Sequence, residues 1–396
     1  MKITYFYQYF STPKGSWGTR VYEFAKNWVE QGHEVRVVSS IYSKSDLKAS
    51  KFLENQIYEG INVKIINVKI DNKQRFLKRI WTFIVYSFMS CWYALTTKAD
   101  VVIASSGPIT VGLPGLLAKI LRGKKLVFEV RDLWPEGAIE LGIIRNGLMK
   151  RIARWFEKKC YQNASLIVAL SPGMKQNIEM RFPKTHVISV PNSANIKLFS
   201  ELKDKTHLPS FYDTKKIAVY TGNIGMVNNS ELLLQAAKKL KEIGREDIMI
   251  LMIGEGQQKE MLLEQSVDLD NFKIVGLMPK DQLVAYVQNA LVSLVPLKGT
   301  PVLDTSSPNK LFESLAAGVP VIQTTQGWIK DFLEKEGCGT TVNANNEQEL
   351  VDDLIKLADF PEERKRMGDK GKVVAKKEFD KDYLAEKMIK SIEKIL

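Results

Sequence analysis

The segment SSPNKLFESLAAGVPVI, residues 306–322, passes from a helical pattern to an apolar strand within a few residues. Ser307 can cap the helix, Pro308 suits its first position, and Gly318 is of the type that most often ends one. The run VPVI follows at once and is rich in β-branched residues. A helix that leads directly into a buried strand is typical of a parallel sheet covered by helices, so the segment predicts an α/β fold.

The head of this helix carries two charges. Lys310 and Glu313 are three residues apart, which places them on one face of the first turns. A lysine opposes the positive end of the helix dipole unless an anion lies there. A carboxylate can accept hydrogen bonds from a pair of hydroxyl groups. A ligand that joins a phosphate to a diol, such as a nucleotide sugar, satisfies both side chains.

Outward from this segment, apolar runs alternate with helical patterns through most of the 396 residues. The alternation predicts parallel sheets with helices on both faces. It breaks at the polar stretch 195–215, where we expect the boundary between two doubly wound, Rossmann-like domains, 1–200 and 201–378. Ligands of such folds bind at the carboxyl ends of the strands, so we expect the site in a cleft across which the domains face each other.

Residue usage argues against several kinds of site. The three cysteines, Cys91, Cys160 and Cys338, form no CxxC pair, so neither a disulfide framework nor a zinc site is indicated. The first strand–helix loop is not a GxGxxG fingerprint, which argues against a nicotinamide cofactor. The DLD triplet at 268–270 resembles a metal-holding DxD, but it precedes a strand and is expected to be a surface turn. We expect no metal, no cofactor and no nucleic-acid partner.

The charge is divided unevenly between the two predicted domains. The formal net charge is +12 for the whole chain, and the basic excess lies within residues 1–200. A basic half joined to a mildly acidic half indicates that one face meets a polyanion: phosphates, an anionic membrane or nucleic acid.

One segment departs from the α/β pattern. Residues 80–97, IWTFIVYSFMSCWYALTT, carry no charge and follow the basic run KQRFLKR, residues 73–79. Three interpretations remain open: a buried or domain-covering helix, contact with a membrane surface, and a membrane span that is short and interrupted by polar residues. The basic flank and the aromatic residues Trp81, Trp92 and Tyr93 favour surface contact over chance.

Glycine-containing loops follow three of the predicted strands. They are YFSTPKGSWGTR at 9–20, YTGNIG at 220–225 and IGEGQQ at 253–258. Glycine lets the backbone approach a ligand closely, and a helix N-terminus beyond such a loop attracts anions. Each loop also fits an ordinary turn, although two of them opening on one cleft are better evidence than either alone.

A charged cluster follows another predicted strand. The segment EVRDLWPEGAIELG, residues 129–142, gathers Glu129, Arg131, Asp132 and Glu136 around Trp134. Such a cluster at the carboxyl end of a strand is a candidate site, and a structural ion-pair network is the alternative.

These motifs resemble the family-4 retaining glycosyltransferases, which have the GT-B fold. The resemblance spans essentially the whole chain, through the first glycine loop, GHEVRVV, YTGNIG, IGEG and PNKLFESLAAGVPVI. GTRVYEFAKNWVEQGHEV and VRDLWPE are most similar to the branch that builds O-antigen and capsule repeats from amino- or deoxy-sugars, as N-acetylfucosaminyltransferases do. In the family the last helix returns to the N-terminal domain, which would involve residues from about 379 to 396.

The chain departs from the family pattern at several positions. Glu313 matches the glutamate that the family uses for the nucleotide ribose, but its usual partner glutamate falls on Thr305. The family's arginine and lysine fall on Asn223 and Asn228, so Lys310 would replace part of their charge. The family's frequent histidine falls on Arg131.

The resemblance implies transfer of a sugar from a nucleoside-diphosphate donor, UDP-linked, to an undecaprenyl-diphosphate-linked acceptor at the inner face of the cytoplasmic membrane. The alternatives are a nucleotide-sugar 2-epimerase of the same fold and an inactive GT-B partner subunit. Catalytic roles are expected for Lys310, Asp132 and Arg131. The donor-binding residues are expected to be Gly15, Ser16, Gly18, Gly222, Asn223, Gly225, Gly254, Glu255, Thr305, Ser307, Asn309, Lys310, Leu311 and Glu313.

Overall fold

The computed structural model describes residues 1–71, 74 and 76–396, without the side chains of Phe76 and Arg79. It divides into two compact units, one of residues 1–191 together with 381–396 and the other of residues 192–380. The second unit begins before the predicted boundary after residue 200. The reason is that Ala194 and Phe199 are buried in the apolar core of the second unit, so the stretch that looked like a linker in sequence is packed.

The first unit is built on an eight-stranded sheet, ordered β3-β4-β2-β1-β5-β6-β7-β8 within the described residues. Its strands are parallel except for the antiparallel pair β3–β4. Its elements are β1 (Lys2–Phe6), α1 (Arg20–Glu30), β2 (Glu34–Tyr42), β3 (Leu53–Tyr58), β4 (Ile61–Ile70), α2 (Phe76–Thr96), β5 (Val101–Ser105), α3 (Gly112–Arg122), β6 (Lys125–Val130), α4 (Glu136–Glu140), α5 (Gly147–Asn163), β7 (Leu166–Ala169), α6 (Pro172–Arg181) and β8 (Val187–Ser189).

The second unit is built on a six-stranded parallel sheet, ordered β11-β10-β9-β12-β13-β14. Its elements are α7 (Ile196–Ser200), α8 (Phe211–Thr214), β9 (Lys216–Asn223), α9 (Ser230–Glu242), β10 (Ile248–Glu255), α10 (Lys259–Gln265), β11 (Phe272–Val275), α11 (Lys280–Gln288), β12 (Val292–Val295), α12 (Asn309–Ala317), β13 (Val321–Gln323), α13 (Trp328–Glu336), β14 (Gly339–Thr341), α14 (Glu347–Asp359) and α15 (Pro361–Glu378). The DLD triplet at 268–270 lies in a surface turn before β11.

The last helix, α16 (Lys381–Glu393), belongs to the first unit. It packs on α1, where the indole of Trp28 donates a hydrogen bond of 3.0 Å to the carbonyl of Ala385. Leu384, Met388 and Ile392 of α16 are buried in the same core cluster as Trp28. The apolar spacing of its otherwise charged sequence explains this packing, because residues three and four apart share one face of a helix.

The hairpin β3–β4 was not anticipated from the sequence. The side chains of β3 alternate between exposed and half-buried, and its sequence LENQIY is too polar to stand out as a strand. It pairs with β4 from Leu53 opposite Ile66 to Tyr58 opposite Ile61. A polar edge strand of this kind protects a sheet from pairing with other chains.

Candidate functional site

Helix α12 of the second unit presents Lys310 near the carboxyl end of β9. The Lys310 ammonium lies 3.9 Å from the centroid of the Tyr220 ring and 3.5 Å from the amide oxygen of Asn228. Within the described part of the chain, no carboxylate forms an ion pair with it. Desolvation lowers the pKa of Lys310 to about 7, against the opposing effect of Glu313. A half-buried cation without a carboxylate partner is a suitable group to bind an anion.

Glu313 is nearly buried, and its ion-pair partner is Lys280 rather than Lys310. Lys280 is the first residue of α11, and its ammonium donates a hydrogen bond to Oε1 of Glu313. Nothing near Lys280 in sequence marks it as a functional residue. It is found only once the fold brings α11 against α12. This ion pair fixes the Glu313 carboxylate beside the N-terminal turn of α12.

Gly222, near the end of β9, lies beside Lys310 and has a backbone conformation that favours glycine. Its φ of +133° lies in a region that other residues rarely adopt, and a Cβ there would stand 3.4 Å from the Lys310 ammonium. The phenol of Tyr220 donates a hydrogen bond of 2.5 Å to the carbonyl of Asn223, which fixes the backbone at the end of β9. The loop therefore positions the cation through backbone shape.

Two of the predicted donor-binding glycines, Gly225 and Gly254, and the neighbouring Glu255 have structural roles. A Cβ at Gly254 would stand 1.8 Å from the carbonyl oxygen of Gly222, so close pairing of β9 with β10 requires glycine there. The Gly225 amide donates a hydrogen bond of 3.0 Å to the hydroxyl of Ser230, so this amide is not free to bind a ligand. The Glu255 carboxylate pairs with Lys259 of the same chain segment at 2.5 Å.

The residues around the start of α12 also differ from expectation. The N-cap position of α12 is occupied by Pro308, so Ser307 does not cap the helix. The Ser307 hydroxyl instead accepts a hydrogen bond of 3.2 Å from the backbone amide of Asn192. The Leu311 side chain is wholly buried in the apolar core, so any contact of this residue with a donor has to come from its backbone. Thr305 donates a hydrogen bond of 2.7 Å to the carbonyl of Val302. Asn309 is half-buried at the first position of the helix.

In the first unit, backbone amides of the loop between β1 and α1 already donate hydrogen bonds to carbonyl groups of the protein. The Gly15 amide donates a hydrogen bond of 3.0 Å to the carbonyl of Thr12, and the Ser16 amide donates one of 2.9 Å to the carbonyl of Lys44. A Cβ at Gly15 would stand 2.2 Å from the Ser11 hydroxyl, so glycine is required by packing of the loop. These two amides are not available to a diphosphate in this conformation. Gly18 lies half-buried two residues before α1.

The predicted charged cluster separates into different environments. Glu129 is fully buried, forms an ion pair of 2.9 Å with Arg20, and accepts hydrogen bonds from Tyr5 and Ser105. Although desolvation opposes it, the charge of Arg20, assisted by these hydroxyls, holds the pKa of Glu129 below its ordinary value. Glu136 is bound by Arg154 at 2.9 Å. For these two carboxylates the structural alternative is correct.

Arg131 and Asp132 remain as candidates. The Arg131 guanidinium stacks over the Tyr7 ring at 4.8 Å, and its backbone amide donates 3.1 Å to the Ser106 hydroxyl. Its Nη1 atom is buried, and no group in the described residues accepts a hydrogen bond from it. Asp132 beside it is exposed. A buried guanidinium nitrogen of this kind needs an acceptor, which either a water molecule or a ligand can provide, so Arg131 stays a candidate.

Two family models match the chain. Residues 15–193 match the glycosyl transferase 4-like domain, and residues 203–374 match glycosyl transferases group 1. Between them they leave only a short middle segment and the two ends unmatched. The chain is a glycosyltransferase.

Curated relatives and solved structures agree with this family. The transferase is 27% identical over 323 residues to the putative colanic acid biosynthesis glycosyl transferase WcaI of Escherichia coli, covering 76% of this chain and 77% of that one. It is 23% identical over 305 residues to the probable glycosyltransferase WbjE of Pseudomonas aeruginosa, covering 72% and 74%.

The solved structures show that the fold is GT-B. Sucrose-phosphate synthase from Thermosynechococcus elongatus superposes with a TM-score of 0.76 at 16% identity, over 100% of this chain and 98% of that one. Anabaena HepE in complex with UDP and glucose gives a TM-score of 0.73 at 14% identity, over 100% of both chains. The two-domain α/β fold with parallel sheets that the sequence predicted is thereby confirmed.

Helix α2 of the transferase buries Tyr86 but exposes several other large apolar side chains. It turns Thr82, Ser87 and Ser90 towards the protein, whereas Trp81, Phe88 and Trp92 are 64%, 69% and 62% exposed. Residues 80–96 therefore form part of a helix that covers the first unit, packed on α3 and β4 and with Tyr86 wholly buried, as one of the three interpretations expects. The bulky apolar stripe on its other side faces outwards. Among the described residues, no helix is long and apolar enough to span a membrane. Lys73 and Arg75 of the basic flank lie outside the described residues.

The apolar surface continues onto neighbouring helices. α2 packs against α3, and α3 also contacts α5. Exposed large apolar side chains on these two helices are Leu113, Ile120 and Leu121 of α3 and Leu148, Met149, Ile152 and Trp155 of α5. We call the exposed faces of α2, α3 and α5 together the apolar face. Large exposed apolar side chains on three helices that contact one another make this face a candidate interaction surface.

Proposed function

We propose that the transferase moves a sugar from a UDP-linked donor to a lipid-diphosphate-linked glycan during the synthesis of a surface polysaccharide, with retention of anomeric configuration. The observation that carries the proposal is Lys310, a half-buried ammonium without a carboxylate partner among the described residues, held at the head of α12 by Tyr220, Gly222 and Asn228. A diphosphate would supply the missing counter-charge.

The names of similar proteins support the same chemistry. One relative belongs to colanic acid biosynthesis and another to teichuronic acid biosynthesis. A third is an α-D-kanosaminyltransferase, whose name denotes transfer of an amino sugar. These names support a surface polysaccharide, such as O-antigen or capsule, and an amino- or deoxy-sugar as the transferred unit. The UDP bound to HepE supports a uridine donor.

The proposed role of Lys310 is to stabilise the leaving group. The bond between the anomeric carbon and the diphosphate oxygen breaks, and the oxygen keeps the electron pair. The acceptor hydroxyl oxygen forms the new bond to the anomeric carbon, and its proton passes to the departing diphosphate. The ammonium of Lys310 and the N-terminus of α12 then face an increased negative charge, which they stabilise more in the transition state than in the bound donor. This positive charge would make a metal ion unnecessary.

Other residues would orient the substrates. The Glu313 carboxylate, held in place by Lys280, would accept hydrogen bonds from the ribose hydroxyls. On the acceptor side we propose Arg131, whose buried Nη1 lacks an acceptor among the described residues, together with the exposed carboxylate of Asp132.

The apolar face would bring the enzyme to a lipid-linked acceptor by docking on the inner face of the cytoplasmic membrane. Its bulky side chains are accompanied by basic residues on the same helices: Lys78 on α2, Lys119 and Arg122 on α3, and Lys150, Arg151 and Arg154 on α5. Aromatic and aliphatic groups beside lysines and arginines suit the boundary between anionic headgroups and acyl chains. This charge pattern favours an anionic lipid surface over a protein partner.

The proposal is tested by incubating the protein with UDP-sugars and an undecaprenyl-diphosphate-linked acceptor. We expect release of UDP that depends on the lipid, and a product whose anomeric configuration, determined by NMR, equals that of the donor. Isomerised nucleotide sugar without lipid would identify an epimerase, and neither product would identify an inactive subunit. Either result would overturn the proposal.

A further inference from the structure

A second basic site lies in the first unit, at the amino ends of its strands. A cavity of about 370 Å³ is lined there by Lys2, Glu34, Arg36, Lys64, Tyr93, Thr96, Thr97 and Lys98. Lys2 and Glu34 are the first residues of β1 and β2, whereas the glycine loop of residues 9–20 follows the opposite, carboxyl end of β1. The cavity is therefore distinct from the candidate donor and acceptor residues.

The cavity contains more positive charge than its single lining carboxylate balances. Glu34 lies 3.5 Å from Lys2 and 3.6 Å from Arg36, so it is shared between two cations. Lys64 and Lys98 form no ion pair within the described residues. Outside the lining, Asp100 accepts a hydrogen bond of 2.6 Å from the Lys2 amide.

Two of the lining cations, Arg36 and Lys64, donate no hydrogen bond to any described group. The Arg36 side chain is only 20% exposed, yet its guanidinium donates no hydrogen bond to any described group, since 3.6 Å to Glu34 is too long. Lys64, half-buried on the neighbouring strand β4, donates none either. Desolvation, followed by repulsion from Arg36, lowers the pKa of Lys64. Crowded cations of this kind are stabilised when an anion binds between them.

Hydroxyl donors complete the lining. The phenol of Tyr93 and the hydroxyl of Thr97, at the end of α2, have no hydrogen-bond partner in the described part of the chain. A guanidinium, an ammonium and two hydroxyls provide the donors that a tetrahedral oxyanion requires, and arginine binds phosphate through two parallel hydrogen bonds. The lining is largely open to solvent, so an organic group attached to the anion can extend outwards.

We propose that this cavity binds the phosphate group of a phosphorylated ligand through Arg36, Lys64, Tyr93 and Thr97. The ligand is either a phospholipid headgroup or a soluble phosphate ester. A headgroup is included because α2, which contributes Tyr93 to the lining, also carries the exposed Trp92. The inference does not depend on glycosyl transfer.

The test is amine-specific labelling of the whole protein, with the extent of modification of each lysine measured by mass spectrometry. One arm adds inorganic phosphate, a second adds phosphatidylglycerol vesicles in phosphate-free buffer, and the control adds chloride at equal ionic strength. We expect a saturable loss of labelling at Lys64 in at least one arm. Protection by vesicles alone would identify a headgroup, and protection by phosphate would identify a soluble ester. Because each lysine is resolved, phosphate bound near Lys310 does not interfere.

Substitutions then test the assignment. Arg36→Gln should abolish the protection of Lys64, whereas the matched control Lys48→Gln, at an exposed position of the same unit, should leave it unchanged. Tyr93→Phe removes one donor without altering charge and should weaken protection, which covers the case in which Arg36→Gln does not fold. Labelling of Lys64 that is the same in phosphate, vesicles and chloride would overturn the proposal.

Discussion

The ammonium of Lys310 lies 3.9 Å from the centre of the buried Tyr220 ring. The face of an aromatic ring attracts a cation but does not neutralise it. The ring thus holds the ammonium at the end of β9 while its charge remains available to a ligand. A carboxylate in the same place would have formed a closed ion pair, and the lysine would then contribute little to binding a diphosphate.

We expect Lys310→Ala to lower kcat by about 100- to 1000-fold, the usual effect of removing one group that stabilises charge in a transition state. Lys310→Arg should recover only part of the activity, because a planar guanidinium differs from an ammonium in shape and reach. Steady-state kinetics measure both. Lys335→Ala, at an exposed lysine of the same unit, is the control. A kcat of Lys310→Ala within about threefold of the parent would show that the lysine is not catalytic.

The affinity for UDP should depend on pH through Lys310. With a pKa of about 7 in the free protein, the lysine carries its charge below neutral pH and loses it above. A bound diphosphate favours the charged form, so the complex must take up a proton above pH 7 and the Kd should rise there. Titration calorimetry in two buffers of different ionisation enthalpy measures this uptake. Lys310→Met should abolish it; equal proton uptake by parent and variant would contradict the assignment.

The same shift predicts how stability changes with pH. The pKa of Lys310 is about 7 in the folded protein against an ordinary value of 10.5. Between these values the unfolded chain binds a proton that the folded one does not, so Lys310 makes the free energy of unfolding rise with pH over that window. Urea unfolding of the parent and of Lys310→Met at several pH values isolates this contribution as a difference. A difference that does not change from pH 7 to 10 would contradict it.

The sequence predicted the part of the structure that local pattern determines. Alternating apolar runs indicated parallel sheets, and Gly318 does end α12, with a φ of +76°. The sequence did not indicate which residue pairs with each charged side chain. Spacing along α12 placed Glu313 beside Lys310, whereas the fold provides Lys280 from another helix, 33 positions away in sequence.

The same limit applies to the glycine loops and the charged cluster. A glycine that admits a ligand and a glycine that admits a neighbouring backbone look alike in sequence, and Gly254 is of the second kind. Glu129 was noticed as a charge at a strand end, but its role depends on Arg20, which is 109 positions away. Long-range pairing decides whether a charged residue is structural or free to bind a ligand.

We expect Glu313→Gln to weaken UDP binding about tenfold or more, because a charge-assisted hydrogen bond contributes roughly 1.5–3 kcal/mol. The discriminating measurement compares UDP with 2′-deoxy-UDP and 3′-deoxy-UDP by calorimetry. If Glu313 accepts bonds from the ribose, the parent should prefer UDP and the variant should lose that preference. Lys280→Ala is the companion variant, since it removes the ion-pair partner and retains the carboxylate. An unchanged preference in a folded Glu313→Gln protein would rule out the ribose contact.

Binding to anionic vesicles should have an electrostatic part and an apolar part that can be separated. Reversing charge with Lys78→Glu and Arg79→Glu should weaken sedimentation with phosphatidylglycerol vesicles more at low salt than at high salt, because ions screen exposed charges. Replacing Trp81 and Phe88 by serine should weaken it at both, because apolar burial is not screened. Trp155→Ser should do the same if α5 belongs to the docking surface. Leu202→Ser is the matched control, since Leu202 is 87% exposed and belongs to the second unit rather than to α2, α3 or α5. Equal binding by the parent and the α2 variants would show that the apolar face does not contact lipid. A loss confined to α2 would limit docking to that helix.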